Sequence, residues 1–390
     1  MGTGITSILL YNFPYPTVWL QRIGIVIFVL NVVLFVLLVF GNILRYTLWK
    51  GVFTATLHHT VAGMFWGTLA MGLATIVNMI AFVCVPAWGY RWAQLALGLW
   101  WIDVVLAIFI NFGMIFMIFT RQTHTSSTVA SVWLLPIVTS VVAAASGGVI
   151  AASLLPFSPA LARSTIIVSY VVWGTGVPIA GFFMTLWIYR TALEGIPAAA
   201  SLPSVFLPLG PCGQGSFGIL LLGKTVRQLA YEHSISFSVL DGNRESFLVI
   251  ADAIYAGGLI MALILWGLGL CWYIIAWAVI FDHVAQKDNR SFFGKKHFSV
   301  GYTAFTFPIG VFGTASVLLG SELDSAAFRV IGALIAVQVT FLWLYVFAMC
   351  CWKTLDGSLF VAAELVKWDG QPPPRWNRTT EVVKDDGDCV

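Results

Sequence analysis

Residues 210–224, GPCGQGSFGILLLGK, set a glutamine and a serine among glycines at the head of an otherwise apolar stretch. An amide and a hydroxyl are costly in hydrocarbon unless a partner or a polar cavity satisfies them. Gln214, Ser216 and the backbone N–H groups beside them would make a donor-rich site without a fixed charge. Such a site suits a small anion that must be bound weakly enough to be released. Thr3 in MGTG, Thr68 in FWGT, Ser146 in SGG and Thr306 in FTFP supply similar groups in four other apolar stretches. Close helix packing also uses glycines, which accounts for them but not for Gln214 and Ser216.

Covalent chemistry finds no comparable footing. The chain has no P-loop, HExxH or GxSxG pattern and no helix with metal-ligand spacing, so no enzyme, cofactor or metal is expected. His58 and His59 are adjacent, which puts them on different faces of a helix; they read as a cytoplasmic-mouth pair or as plain interfacial histidines. Asp103 in WWIDVVL is the one carboxylate clearly within an apolar stretch, a position that makes an acid a functional candidate. A structural hydrogen bond is the plainer reading, because its segment is smooth and it lies near one end. A cation path would need several such acids. The six cysteines include no CxxC pair and read as free thiols packed as small apolar groups.

These groups must be positioned by elements that live in a bilayer. Hydrophobic residues make up 59% of the chain and charged ones 9%, against about 25% in a soluble domain, and the mean hydropathy is +0.91. A net charge of +3 is too small to suggest nucleic acid. A window of about 19 residues gives ten spans, near 1–11, 20–48, 61–85, 92–119, 132–155, 164–189, 205–222, 247–281, 300–319 and 326–351. The even spans are nearly continuous apolar helices. The odd ones are interrupted, by Pro136 and Ser146–Gly148 in the fifth, Pro208 and Pro211 in the seventh and Pro308 in the ninth; Pro178 in the sixth is an exception. Backbone freed by such breaks survives at membrane depth only against protein or a water-filled cavity. The expectation is therefore an all-α polytopic membrane protein. Its ten transmembrane helices form five hairpins around a central pore, odd helices inside and even helices outside against lipid.

With ten spans both termini share one side. Thirteen Lys and Arg fall on that side, five of them in the tail, and seven on the other: Arg22, Arg91, Arg163, Lys224, Arg227, Arg244 and Arg329. The excess favours cytoplasmic termini. Residues 1–355 form the membrane domain, and residues 356–390, with QPPPRWNRTTEVVKDDGD, read as a disordered cytoplasmic tail.

The chain resembles the tellurite-resistance/dicarboxylate transporter family, and within it the fungal sulfite efflux branch. The matching stretches are MGTGITSILLYNFPYP (1–16), FWGTLAMGLATI (65–76), SGG (146–148), LGPCGQGSFGILLL (209–222) and FTFPIG (305–310). The resemblance implies sulfite export across the plasma membrane, conferring sulfite resistance, by a homotrimer whose protomers each conduct. A malate-type dicarboxylate permease or a small-anion channel is the alternative within the family. It also implies a phenylalanine that plugs the pore, best matched by Phe307 with Phe305 as the alternative; taken alone, either ring reads first as an ordinary core aromatic. Two features depart from the family pattern. Family members usually carry residues ahead of the opening motif, completing the first helix, whereas this sequence starts on the motif itself. GYTAFTFP stands where much of the family has a tryptophan pair.

Overall fold

Prolines stand in the first turn of three buried helices of this chain. The computed structural model describes residues 1–125, 128–196, 199–237, 244–285 and 298–357. Its helices are α1 (Gly2–Tyr11), α2 (Val18–Leu48), α3 (Val52–His58), α4 (Gly67–Met79), α5 (Val85–Trp88) and α6 (Tyr90–Thr120). They continue with α7 (Leu134–Leu154), α8 (Pro159–Glu194), α9 (Leu209–His233), α10 (Arg244–Ala285), α11 (Phe307–Glu322) and α12 (Ala326–Leu355). Four of them follow a 3₁₀ segment: Ala62–Trp66 leads to α4, Ser131–Trp133 to α7, Ala199–Phe206 to α9 and Val300–Phe305 to α11.

The expected mid-helix breaks are corrected by this pattern. Pro208 immediately precedes α9 and Pro211 is its third residue; Pro136 is third in α7 and Pro308 second in α11. A proline in the first turn sacrifices no hydrogen bond, because those N–H groups have no helical acceptor. The prolines therefore mark helix starts, and α9 runs unbroken through GPCGQGS. Ser146–Gly148 likewise lie inside α7 without ending it. The genuine irregularity falls in the third span, where Ile80–Cys84 is π-helical just before Pro86. Pro86 has no N–H for the carbonyl of Phe82, four residues back. The Tyr11 hydroxyl donates to that carbonyl instead, at 3.2 Å.

Among the described residues, nine spans are long and apolar enough to cross a membrane. The expected first span is the ten-residue α1, about 15 Å long at the helical rise and too short to cross alone. The most apolar windows of the spans containing α4, α7, α9 and α11 are 72% to 100% buried, and those of the others 22% to 39%. The spans of α4, α7, α9 and α11 are thus the inner ones, and the outer α8 also opens on a proline, Pro159. α1, α4, α7, α9 and α11 touch in a closed cycle, α1 with α4, then α7, α9, α11 and back to α1. Each packs on a more exposed helix: α1 on α2, α4 on α6, α7 on α8, α9 on α10 and α11 on α12. Those outer helices present Leu38, Phe109, Phe182, Ile264 and Phe341 outward, as surfaces facing hydrocarbon require. The 287–297 loop and the tail from residue 358 lie outside the described residues.

Candidate functional site

α9 carries the polar residues singled out above, and its neighbours fix which way each one points. Gly210 and Gly218 lie against Val138 and Ala145 of α7, and Gly213 against the backbone of Val311 and Phe312 of α11. Gly215 faces Val177 of α8 and Leu265 of α10, and its carbonyl accepts from Trp173 Nε1 at 3.1 Å. Cys212 and Ser216 face α10: Cys212 abuts Gly269, and Ser216 Oγ donates to the Ala262 carbonyl at 2.8 Å. At 3.6 residues per turn, the side opposite α10 carries Gln214, Phe217, Leu221, Lys224 and Gln228. The last four are partly exposed, whereas Cys212, Ser216, Ile219 and Gly223 on the α10 side are buried. An accessible space therefore borders the inner face of a helix that is otherwise enclosed. Gln214, at 4% exposure, lies deeper, between Gly210 and Gly218 on the ridge of α9 that packs against α7. Ser216, two residues on, falls on the opposite side.

α11 sorts in the same way. Gly310 abuts Ile5 of α1, and Gly313 abuts Leu9 of α1 and Ile335 of α12. Phe312 stacks on Trp266 and Tyr273 of α10 with centroids 5.3 and 5.9 Å apart, and Trp266 Nε1 donates to Ser316 Oγ at 2.9 Å. The face left over carries Phe307, Val311, Thr314 and Leu318. Phe307 is buried and packs on no other aromatic ring among the described residues. Phe305 sits elsewhere, among Phe206, Tyr302 and Trp277 at 5.4, 5.7 and 6.4 Å.

The remaining predicted positions scatter. Thr3 Oγ1 accepts from Trp343 Nε1 of α12 at 3.1 Å. Thr68 Oγ1 donates to the Phe65 carbonyl at 2.7 Å and is partly exposed. Thr306 Oγ1 is buried and donates to Thr303, with Gly2 of α1 packed against it. Ser146 Oγ is fully buried with no partner among the described residues. Asp103 is also buried, with Oδ1 unpartnered among them. His58 Nδ1 lies 2.8 Å from the Thr54 carbonyl. His59 Nδ1 accepts from the N–H groups of Val61 and Ala62, capping the turn that leads to α4. The two histidines do not converge, and no metal-ligating cluster occurs among the described residues.

Two groups escaped sequence reasoning. Gln122 donates to the Leu57 carbonyl at 2.9 Å and meets His124 Nε2 at 2.9 Å. The His124 ring lies against Trp133, and burial lowers its pKa. TRQTHTSS reads as an ordinary polar loop, so nothing in the sequence flagged them. At the C-terminal ends of α9 and α11, Lys224 pairs with Glu322 and Arg227 with Asp252 of α10. Charges at span ends pass for interfacial anchors; only their shared location shows the cluster.

Buried helices with an accessible inner strip, wrapped in apolar outer helices, define a multi-pass membrane protein. More narrowly, the chain belongs to the SLAC1 voltage-dependent anion channel family, whose model matches residues 1–351. It is 41% identical to the sulfite efflux pump of Arthroderma benhamiae over 92% of this chain and 90% of that one. With the sulfite efflux pump of Saccharomyces cerevisiae the identity is 24%, over 86% and 81%. With the malic acid transport protein of Schizosaccharomyces pombe it is 22%, over 97% and 81%.

Proposed function

We propose that this chain exports sulfite across the plasma membrane, both termini in the cytoplasm, through a pore enclosed by α1, α4, α7, α9 and α11 in each protomer of a homotrimer. The ten helices pair as five hairpins around that path. The observation that carries the reading is the inner face of α9, a partly exposed strip of Phe217, Leu221 and Gln228 with the amide of Gln214 buried one turn before it. It fits the 41% identity to a sulfite efflux pump. A neutral donor holds an oxyanion without trapping it. Phe307, on the inner face of α11, closes the path in this state: a bulky apolar ring excludes both the anion and its water. Thr306, Thr68 and Ser146 stand at the starts or in the body of the other inner helices. Ser216 and Thr3 are engaged by outer helices and belong to the scaffold.

A dicarboxylate permease would call for arginines to hold two carboxylates. On α9 the only arginine is Arg227, near the helix end and paired with Asp252. The test is flux of sulfite, malate and nitrate from liposomes holding the purified protein, with and without a pH gradient. Sulfite flux several-fold above malate supports the reading; malate flux equal to or above sulfite overturns it.

A further inference from the structure

Beyond Leu222, where the apolar segment ends, α9 continues for three turns that frame a recess of about 250 Å³. Lys224, Arg227, Gln228, Tyr255 and Glu322 are among the residues lining it. Lys224 Nζ lies 2.6 Å from Glu322 Oε1, and the Tyr255 hydroxyl donates to Oε2 at 3.1 Å. Arg227 is 2.9 Å from Asp252 and covers the rings of Tyr231 and Tyr255. The Glu322 side chain is 12% exposed and that of Lys224 36%, so the carboxylate is the anchored partner and the ammonium the free-swinging one. Lys224 also follows Phe217 and Leu221 along α9 at helical spacing, and all three are partly exposed. The ion pair thus lies at the C-terminal end of that partly exposed row.

We propose that this recess is a second anion site, at the mouth of the path, in which Lys224 exchanges Glu322 for an oxyanion. A lysine is a point charge on a flexible stem with three donors, so it can turn from one oxygen acid to another in the same recess. Glu322 competes for it and returns it once the anion leaves, which allows charge-assisted binding without trapping. Removing Glu322 would leave a standing cation that holds the anion; removing Lys224 would leave a mostly buried carboxylate that repels it. The substrate side of this inference rests on the sulfite reading above.

The experiment measures sulfite binding to the purified full chain in detergent, as the rise in unfolding temperature over gluconate at equal ionic strength, alongside sulfite flux from liposomes. Glu322→Gln should tighten apparent sulfite binding about fivefold and Lys224→Gln weaken it about fivefold, the upper range for a partly exposed ion pair. The charge swap Lys224→Glu with Glu322→Lys should return it to within about twofold of the starting chain. Should Lys224→Gln fail to fold, Glu322→Gln decides alone, since tighter binding cannot come from unfolding. Sulfite binding unchanged in the single variants that fold would make the pair structural and end the proposal. Binding that follows the pattern without sulfite transport would keep the recess and remove the proposed function. Transport with an indifferent ion pair would do the reverse.

Discussion

Gly213→Ala is the most exacting probe of the contact between α9 and α11. A Cβ on Gly213 would stand 2.6 Å from the backbone nitrogen of Phe312, 2.7 Å from its Cα and 2.8 Å from the carbonyl carbon of Val311. Ordinary contact begins near 3.4 Å, so the two helices must part by roughly 0.8 Å, and close-packed interiors do not give that freely. The atoms in the way are backbone, which no rotamer change can move. Overpacking of this kind costs about 1–3 kcal/mol, and the upper half of that range applies here. Alanine recovers about 1 kcal/mol of helix propensity, leaving a net loss of about 1–2 kcal/mol. Gly257→Ala on α10 is the reference, because nothing lies within 4 Å of its Cβ and it should collect the propensity gain alone. Thermal unfolding in detergent should therefore place Gly257→Ala above the starting chain and Gly213→Ala below it. The same displacement carries the Phe307 helix away from α9, so sulfite leak from liposomes should rise in Gly213→Ala. Equal unfolding temperatures for the two variants would refute the contact, and with it the assignment of faces on both helices.

Two further outcomes follow from those faces and a third from the distribution of Lys and Arg. Gln214→Leu should lower sulfite flux several-fold at an unchanged unfolding temperature; unchanged flux would return Gln214 to packing. Ser216→Ala removes the bond to Ala262 and should cost about 1 kcal/mol of stability while leaving flux intact, whereas a large loss of flux would put its hydroxyl on the path. A membrane-impermeant thiol reagent applied to intact cells should leave Cys389 unlabelled; labelling from outside would reverse the orientation drawn from the Lys and Arg count.

Which spans are buried was legible because burial shows in composition. Helices packed inside a ring need small residues and irregular starts, and those of α4, α7, α9 and α11 stand out against the smooth outer spans. What the prolines do was less legible. Pro136, Pro211 and Pro308 read as breaks within spans, since hydropathy carries α7, α9 and α11 back through their 3₁₀ entries. The end of α9 was misplaced for the converse reason: GKTVRQLAYEH is too polar for a membrane window but made of good helix formers. Gln214 and Ser216 looked equivalent in sequence. Their separation onto opposite faces depends on where α10 lies, and the Ala262 carbonyl that holds Ser216 is 46 residues away. The Lys224–Glu322 pair joins residues 98 apart, and no local pattern announces it.

The gate proposed above is an apolar ring on the inner face of α11 that closes an anion path. Its most direct test is sulfite efflux from liposomes holding Phe307→Ala, with Phe305→Ala measured beside it. Flux should rise about tenfold or more, with looser selectivity, for Phe307→Ala, since a ring that excludes water has been removed. Phe305→Ala should show no rise and should instead lose stability as Phe206, Tyr302 and Trp277 lose their partner. A folded Phe307→Ala protein with normal or reduced flux, or a leak that appears with Phe305→Ala alone, would contradict it.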